Sequence, residues 1–507
     1  MMAKTLINSL RSDSLPFQIF VALALGSLLP LAFAPYDFWP LAIIIPVFFI
    51  WKIDKVSSLK RVFWLAWTFG LGYFGFGVYW IYNSLHDFGM APPPVAAAIT
   101  ALLIAVLASF PAATMLGYRY VSRQIGARAI WLLPLLWFSF EWFRGWVLTG
   151  LPWLSIGYAH IDSPLSGYAS VIGVYGVGAA SLYLSVALLR VIRNRSYVCL
   201  LPVLIIPIVG YFLGQIEWTR ALPQGIKVTM VQGNIPQELK WRYEERNNII
   251  NAYWRESSRH FDSDLIVWPE TALPGQESQI DASILQPIER VLANQSVQLL
   301  TGIVVDDKVT GNVYNSMMLL GLARQYYHKR HLVIFGEYYP LRWLLDSLRN
   351  WINIPYSDLT AGPDEQPIMT VGDTVLGVSI CFEDVFSRDI LLALPAANLL
   401  VNASNDAWFG DSSAPHQHLQ MAQMRSLETQ RPMARSTNTG VSAFIDHEGR
   451  ILEQTDQFRA QSITRTIQGR EGLTPFYYFA QIQPWLALAF IAFILSAAFR
   501  RGRNEAI

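Results

Sequence analysis

Cys381 closes a β-branched run in "VSICFEDVF" (378–386), with Glu383 and Asp384 following at once. A cysteine attacks as its thiolate, and with an unperturbed pKa of about 8.5 most of the thiol is protonated at neutral pH. It therefore needs a base to take its proton and a cation to hold the charge left behind. The two adjacent acids supply neither, because nearby negative charge disfavours a thiolate. The missing groups stand at two other strand-like ends: Glu270 follows "LIVWP", and Lys329 lies in "YYHKRHLVIFGE". A carboxylate can accept the thiol proton. An ammonium can stabilise both the thiolate and the oxyanion formed when it attacks a carbonyl. Singly, each has a plain explanation: a solvated loop glutamate, a surface lysine beside Arg330, an inert buried cysteine. Together Glu270, Lys329 and Cys381 are a complete set for covalent acyl chemistry.

Residues 220–478 carry the elements that must position them. "IKVTMVQGNI", "SDLIVWPE", "QLLTGIVVDD", "YNSMMLLGL", "DTVLGVSICFED" and "AANLLVNASND" read as short, largely buried strands. Helical patterns near 243–258, 282–294 and 416–431 intervene, and "GVSAFIDHEGRILEQ" reads as a hairpin. This alternation predicts an α/β layered domain, in which reactive groups gather where strands end.

The rest of the chain is of another kind. Of 507 residues 53% are hydrophobic and 15% charged, with a mean hydropathy of +0.30, too apolar for an ordinary soluble protein. The apolar excess falls at 16–34, 38–52, 62–82, 92–117, 129–149, 166–189, 198–214 and 482–499, which predicts about eight membrane spans. The first is read as a signal-anchor: "AFA" at 32–34 imitates a cleavage site, but the apolar core is too long and another span follows directly. Lysine and arginine concentrate near both termini and in the loops after the second, fourth and sixth spans, so these regions are expected in the cytoplasm. The expected organisation is a membrane domain over 1–219, a catalytic domain over 220–478 on the opposite, periplasmic face, and a last span with a cytoplasmic tail over 479–507. Cys199 falls within the seventh span, so Cys381 has no disulfide partner in its own domain.

The motifs carry a resemblance. "WPETALP", "KRHLVIFGEYYP" and "ICFEDVF" resemble the three catalytic signatures of the nitrilase (carbon–nitrogen hydrolase) superfamily. That resemblance implies an αββα sandwich in which Glu270 is the general base, Lys329 the oxyanion stabiliser and Cys381 the nucleophile. Such a domain placed before the last of eight spans, with "LAFAPYDFWPLA" near the start and "EWFRGWVLTGLPWL" at 141–154, resembles the apolipoprotein N-acyltransferase family. The likeness covers nearly the whole chain. It implies a bacterial inner-membrane enzyme that takes an acyl chain from a phospholipid and, by a ping-pong thioester route, gives it to the α-amino group of a diacylglyceryl-cysteine lipoprotein. No cofactor or metal is implied. Glu337 matches a carboxylate that orients the lysine, Glu383 another residue the family needs, and Trp241 and Asn315 further active-site positions. Glu383 is expected to point at substrate or lysine, and Asp384 is assigned a structural role. The chain departs from the family pattern at Ile334, where proline is frequent, and at Phe382, where tyrosine is; the latter leaves no hydroxyl for a catalytic hydrogen bond.

Other readings fare worse. A net charge of +1 and the lack of a basic stripe argue against nucleic acid. "HQH" at 416–418 lacks further spaced ligands for zinc, so His416 and His418 are read as helix-start residues. "GVYGVG" at 173–178 lies in a span and is read as close helix packing. Glu141 and Arg144 at the end of the fifth span are read as pairing with each other or meeting a lipid headgroup. Residues 338–357, rich in Leu, Trp and Ile, are either an amphipathic arm reaching toward the bilayer or a packed helix. A membrane-anchored amidohydrolase with the same triad is the alternative function, disfavoured because it needs one anchor and not eight spans. A transporter with a periplasmic binding domain leaves the triad unexplained and lacks paired broken helices.

Overall fold

The structure is a computed structural model, described over residues 14–195, 197–334, 336–338 and 358–504. The expected arm at 338–357 lies, apart from Tyr338, outside the described residues. The chain forms two compact units, one of Met1–Tyr79, Ala97–Ile216 and Tyr478–Ile507, the other of Trp80–Ala96 and Glu217–Tyr477.

The first unit is helical. Leu15–Leu28, Leu41–Asp54, Leu59–Gly77, most of Pro93–Ile125, Leu133–Arg144, Ala169–Asn194, Leu200–Leu213 and Pro475–Asn504 each overlap one of the eight expected segments. Among the described residues, five stretches are long and apolar enough to cross a membrane, or six if the bent pair Leu59–Gly77 and Ile81–Phe88 is one span. The difference from eight has two sources. The 52-residue stretch Pro93–Arg144 contains two of the segments, and Leu41–Asp54 has only 14 residues, about 21 Å against a hydrocarbon core of about 30 Å. Near "GVYGVG" the helix Ala169–Asn194 is interrupted at Gly173, where φ is +66°. A side chain at Gly157 would stand 1.9 Å from the Val174 carbonyl, so backbones meet there with nothing between them. Glu141 and Arg144 are both buried and, among the described residues, form no direct ion pair. Glu141 accepts the Ile156 N–H, while the Arg144 guanidinium donates to the carbonyls of Leu151 and Trp153 and to Ser155 Oγ. Buried backbone groups, a donor for Glu141 and acceptors for Arg144, are what these charges satisfy.

The second unit is an αββα sandwich. Its strands are β1 (Arg220–Ala221), β2 (Ile226–Gln232), β3 (Leu265–Val267), β4 (Gln298–Asp306), β5 (Val313–Leu320), β6 (Gln325–His328), β7 (Met369–Val371), β8 (Thr374–Ile380), β9 (Leu399–Ser404), β10 (Met433–Thr437), β11 (Ala443–Ile445), β12 (Ile451–Gln454), β13 (Gln461–Ile467) and β14 (Arg470–Glu471). One sheet runs β13-β2-β3-β4-β5-β6, the other β12-β11-β10-β9-β8-β7, and β1 pairs with β14. The centre of each sheet is parallel, β2 to β3 to β4 and β8 to β9 to β10, with antiparallel margins. Side-chain alternation along the strands builds the layers. Val228, Met230, Leu265, Val267 and Leu300 meet Val378, Ile380, Leu399, Val401 and Ala403 between the sheets. Their neighbours Val231, Ile266 and Leu299 face outward under Ile249, Tyr253, Ile288 and Leu292, from the helices Arg246–Ser257 and Gln286–Gln295. Leu400 and Met433 face Leu419 and Ala422 of the helix Ala414–Thr429.

Candidate active site

All three predicted groups stand at strand ends. Glu270 comes three residues after β3 and Lys329 directly after β6, and Cys381 follows β8. Burial is nearly complete: Lys329 is 1%, Glu270 7% and Cys381 9% exposed.

Lys329 is held between two carboxylates. Its Nζ lies 2.9 Å from Glu337 Oε1 and 3.5 Å from Glu270 Oε1. Asn315 Nδ2 donates to the same two oxygens, at 2.7 Å to Glu270 and 2.9 Å to Glu337. The other Glu337 oxygen accepts the Val333 N–H at 2.8 Å. Burial pulls the ammonium down, but Glu337 and then Glu270 outweigh it and hold Lys329 well above the ordinary lysine range. Glu337 and Asn315 thus both contact the cluster that holds Lys329 and Glu270.

Cys381 sits on a strained turn. Its φ is +51°, a left-handed conformation that costs a non-glycine residue roughly 1–2 kcal/mol and is typical of functional sites. A 3-10 turn over Cys381–Val385 follows, and Asn402 Nδ2 clamps the Cys381 carbonyl at 3.1 Å. Burial and the charge of Glu270 push the thiol well above its usual value, while Lys329 pulls it back. Glu270, whose charge acts on the sulfur, is the group able to take its proton.

Glu270 is aimed from several directions. Its Oε2 accepts the Asn405 backbone N–H at 3.0 Å, just beyond the end of β9. Thr271, next in sequence, adopts φ +46°. Gly302 in β4 makes the close passage of this loop possible: a Cβ there would lie 2.2 Å from Thr271 N and 2.6 Å from Pro269 O.

Glu383 is a correction. Expected to point at substrate or lysine, it is fully buried and feels the Lys329 charge, but its four hydrogen bonds come from Tyr327 Oη (2.9 Å) and from the N–H groups of Ile380 (2.7 Å), Arg330 (2.6 Å) and His331 (3.1 Å). It ties the strand before the nucleophile to the residues directly after Lys329. Burial, with Asp389 adding to it, raises its carboxyl to about 7. Trp241 stands apart at the end of the short helix Gln237–Lys240 and is 55% exposed. Phe382 packs edge-on to Phe386 with ring centres 5.1 Å apart, and Ile334 forms a single bridge with Tyr338.

His418 is more than a helix-start residue. It is the fifth residue of its helix, fully buried, with Nε2 2.8 Å from Asp384 Oδ1 and Nδ1 3.0 Å from Asp406 Oδ1. Arg435 closes the ring, 2.6 Å from Asp384 and 3.2 Å from Asp406, and Ser404 Oγ donates to Asp406 at 2.7 Å. Asp384 is structural, as expected, as a member of this network. Burial would raise Asp406, but Arg435 and His418 outweigh it and hold the carboxyl well below the carboxylate range. The sequence signal for the network was an arginine inside the fully buried strand "MARST", since a charge is almost never fully buried unpaired. Residues from the segment Trp80–Ala96 also reach this region: Ser84 Oγ donates to the Trp408 carbonyl at 2.7 Å, and Trp80 meets Phe409 edge-on at 4.7 Å.

The sandwich and its Glu–Lys–Cys set define a carbon–nitrogen hydrolase domain, and residues 227–475 match the family described as Carbon-nitrogen hydrolase. Residues 25–187 match the Apolipoprotein N-acyltransferase N-terminal domain. An apolipoprotein N-acyltransferase from Methylococcus capsulatus is 38% identical over 496 residues, covering 96% of this chain and 97% of that one. Another from Nitrosomonas europaea is 38% identical over 503 residues, covering 97% and 99%. A solved CN-hydrolase superfamily protein from Xanthomonas campestris is 18% identical, covering 51% of this chain and 94% of its own, with a TM-score of 0.35. The chain belongs to the apolipoprotein N-acyltransferase family.

Proposed function

We propose that the chain transfers a fatty acyl group from a membrane phospholipid to the N-terminal α-amino group of a diacylglyceryl-cysteine lipoprotein, through a thioester on Cys381. One observation carries the reading: Glu270 and Lys329, buried together with Glu337, act on the Cys381 thiol, in a chain with helices long enough to cross a membrane. Family membership supports the lipoprotein as acceptor.

In the first half-reaction the Cys381 proton passes to Glu270 and sulfur attacks the ester carbonyl. Lys329 faces the oxyanion of the tetrahedral intermediate. The carbon–oxygen bond to the glycerol breaks, and the proton on Glu270 goes to the departing alkoxide, which leaves as a lysophospholipid. In the second, the acceptor amine attacks the thioester, the carbon–sulfur bond breaks and an amide forms. Glu270 takes the amine proton and returns it to the Cys381 thiolate. Asn315 and Glu337 hold Glu270 and Lys329 in register, Glu383 holds the backbone beside them, and Trp241 offers an exposed apolar face to an acyl chain. The basic loops favour a catalytic unit on the periplasmic side of the inner membrane, with both termini in the cytoplasm.

The test is the intact mass of the purified protein after incubation with phospholipid of known acyl composition. An increment of one acyl chain, lost on adding a diacylglyceryl-cysteine peptide that gains it, is expected. A chain that leaves phospholipid untouched but hydrolyses small amides would replace this reading with the amidohydrolase.

A further inference from the structure

Resting on the triad reading above, we propose that Lys240 is a positioning residue of the reaction, a second buried cation that holds the Glu270 main chain and balances the charge of the site so that the thiolate can form. The sequence draws attention to its neighbour Trp241, yet it is Lys240 that turns inward, 3% exposed. Its Nζ donates to the Glu270 carbonyl oxygen at 2.9 Å. The same short helix reaches the site a second time, where Asn405 Nδ2 donates to Gln237 Oε1 at 2.8 Å. Asn405 in turn gives its backbone N–H to Glu270 Oε2. Helix, base and strand end thus close a ring around Glu270.

A carbonyl alone does not offset a buried ammonium, because desolvating an ion costs several kcal/mol unless an opposite charge is near. The opposite charge here belongs to the reaction. Lys329 faces two carboxylates, Glu270 and Glu337, so without Lys240 that set is negative before any proton leaves sulfur. With Lys240 charged it is neutral, and it stays neutral when the Cys381 proton moves to Glu270. Asp406, whose charge also raises the Cys381 thiol, is paired with Asp384 to Arg435 and His418, and Glu383, on which the Lys329 charge acts, is bound by backbone N–H groups. Burial lowers Lys240 to about 8, while Glu270 and Cys381 both pull it upward.

The test is alkylation of Cys381 by iodoacetamide in the purified full-length protein as a function of pH, which needs no lipid and is independent of the acyl donor. Lys240→Met is expected to slow alkylation at pH 7.5 about tenfold and to move its midpoint up by about one pH unit, with lipid acylation falling in parallel. Lys240→Arg, which restores charge, should recover most of the rate. Should the Met variant fold poorly, Lys240→Gln keeps a donor for the carbonyl without the charge and should show the same shift. A wild-type pH profile in the Met or Gln variant overturns the proposal, as does an Arg variant as slow as Met. Loss of phospholipid transfer in the wild type, with the alkylation shifts intact, would instead remove the acyltransferase reading alone.

Discussion

Glu337→Gln removes a charge from Lys329 while leaving shape and hydrogen-bonding nearly intact. The ammonium lies 2.9 Å from Glu337 Oε1 and 3.5 Å from Glu270 Oε1. At an effective dielectric of about 20 those separations correspond to roughly 6 and 5 kcal/mol of gross attraction. An amide oxygen still accepts the hydrogen bond, at about half the strength of a charge-assisted one. The ammonium therefore loses about 3 kcal/mol, in the range expected when one partner leaves a buried pair. Carried into the step in which Lys329 meets the oxyanion, that loss slows acylation about 100-fold. The pH dependence has a sign as well. In the wild type the two carboxylates hold Lys329 well above the ordinary lysine range, so it stays charged through the alkaline region. Glu337→Gln removes the larger of those two pulls, so the alkaline fall in activity should move to lower pH. Single-turnover acylation of Cys381, followed by mass from pH 6 to 10, reads both quantities. A rate within threefold of wild type with an unmoved alkaline limb would refute the placement of Lys329 as the cation of the reaction.

Cys381→Ser should abolish thioester formation with the protein still folded and inserted, because a hydroxyl without a lowered pKa is a far poorer nucleophile; mass spectrometry with labelled phospholipid checks it. Gly302→Ala places a methyl against Thr271 N and Pro269 O, and should cost about 1–3 kcal/mol of stability by overpacking, with acylation falling further than thermal stability does. Arg435→Met leaves Asp384 and Asp406 buried with His418 as their remaining charged partner and should destabilise by about 3–5 kcal/mol. The Asp406 carboxyl is depressed below its ordinary 3.8. Its stabilisation is thus present above that value and lost as pH falls through the folded pKa, and in Arg435→Met the acid loss should begin at higher pH in a Tm series from pH 6 to 3. A reporter active only in the periplasm should be active when fused after residue 220 and silent when fused near 125; the reverse pattern would place the catalytic unit in the cytoplasm.

Local pattern determined much of this protein. Strand periodicity in "IKVTMVQ" and "TVLGVSI" sorts Val228 and Met230 from Val231, and Val378 from Ser379, before any sheet is known, because alternate side chains must face opposite ways. Runs such as "PPVAAAITALLIAVLASF" declare a membrane helix by composition alone. Glu270 and Cys381 were legible because each ends an apolar run, and Lys329 because its ammonium completes their chemistry. Tertiary structure decided the rest. Asn405 and Glu270 are 135 positions apart, and Arg435 and Asp384 are 51 apart. No local rule pairs them: the stacking of the two sheets brings the ends of β3 and β9 together, and the order β8-β9-β10 within one sheet sets Arg435 beside Asp384. Glu383, two residues after the nucleophile, is expected to point at substrate or lysine, yet the turn after Cys381 directs its carboxylate onto the backbone beyond Lys329. Lys240 and Trp241 look equally available in sequence. Which of the two is buried against Glu270 depends on how a four-residue helix docks, and that is set by packing and by no periodicity the chain carries.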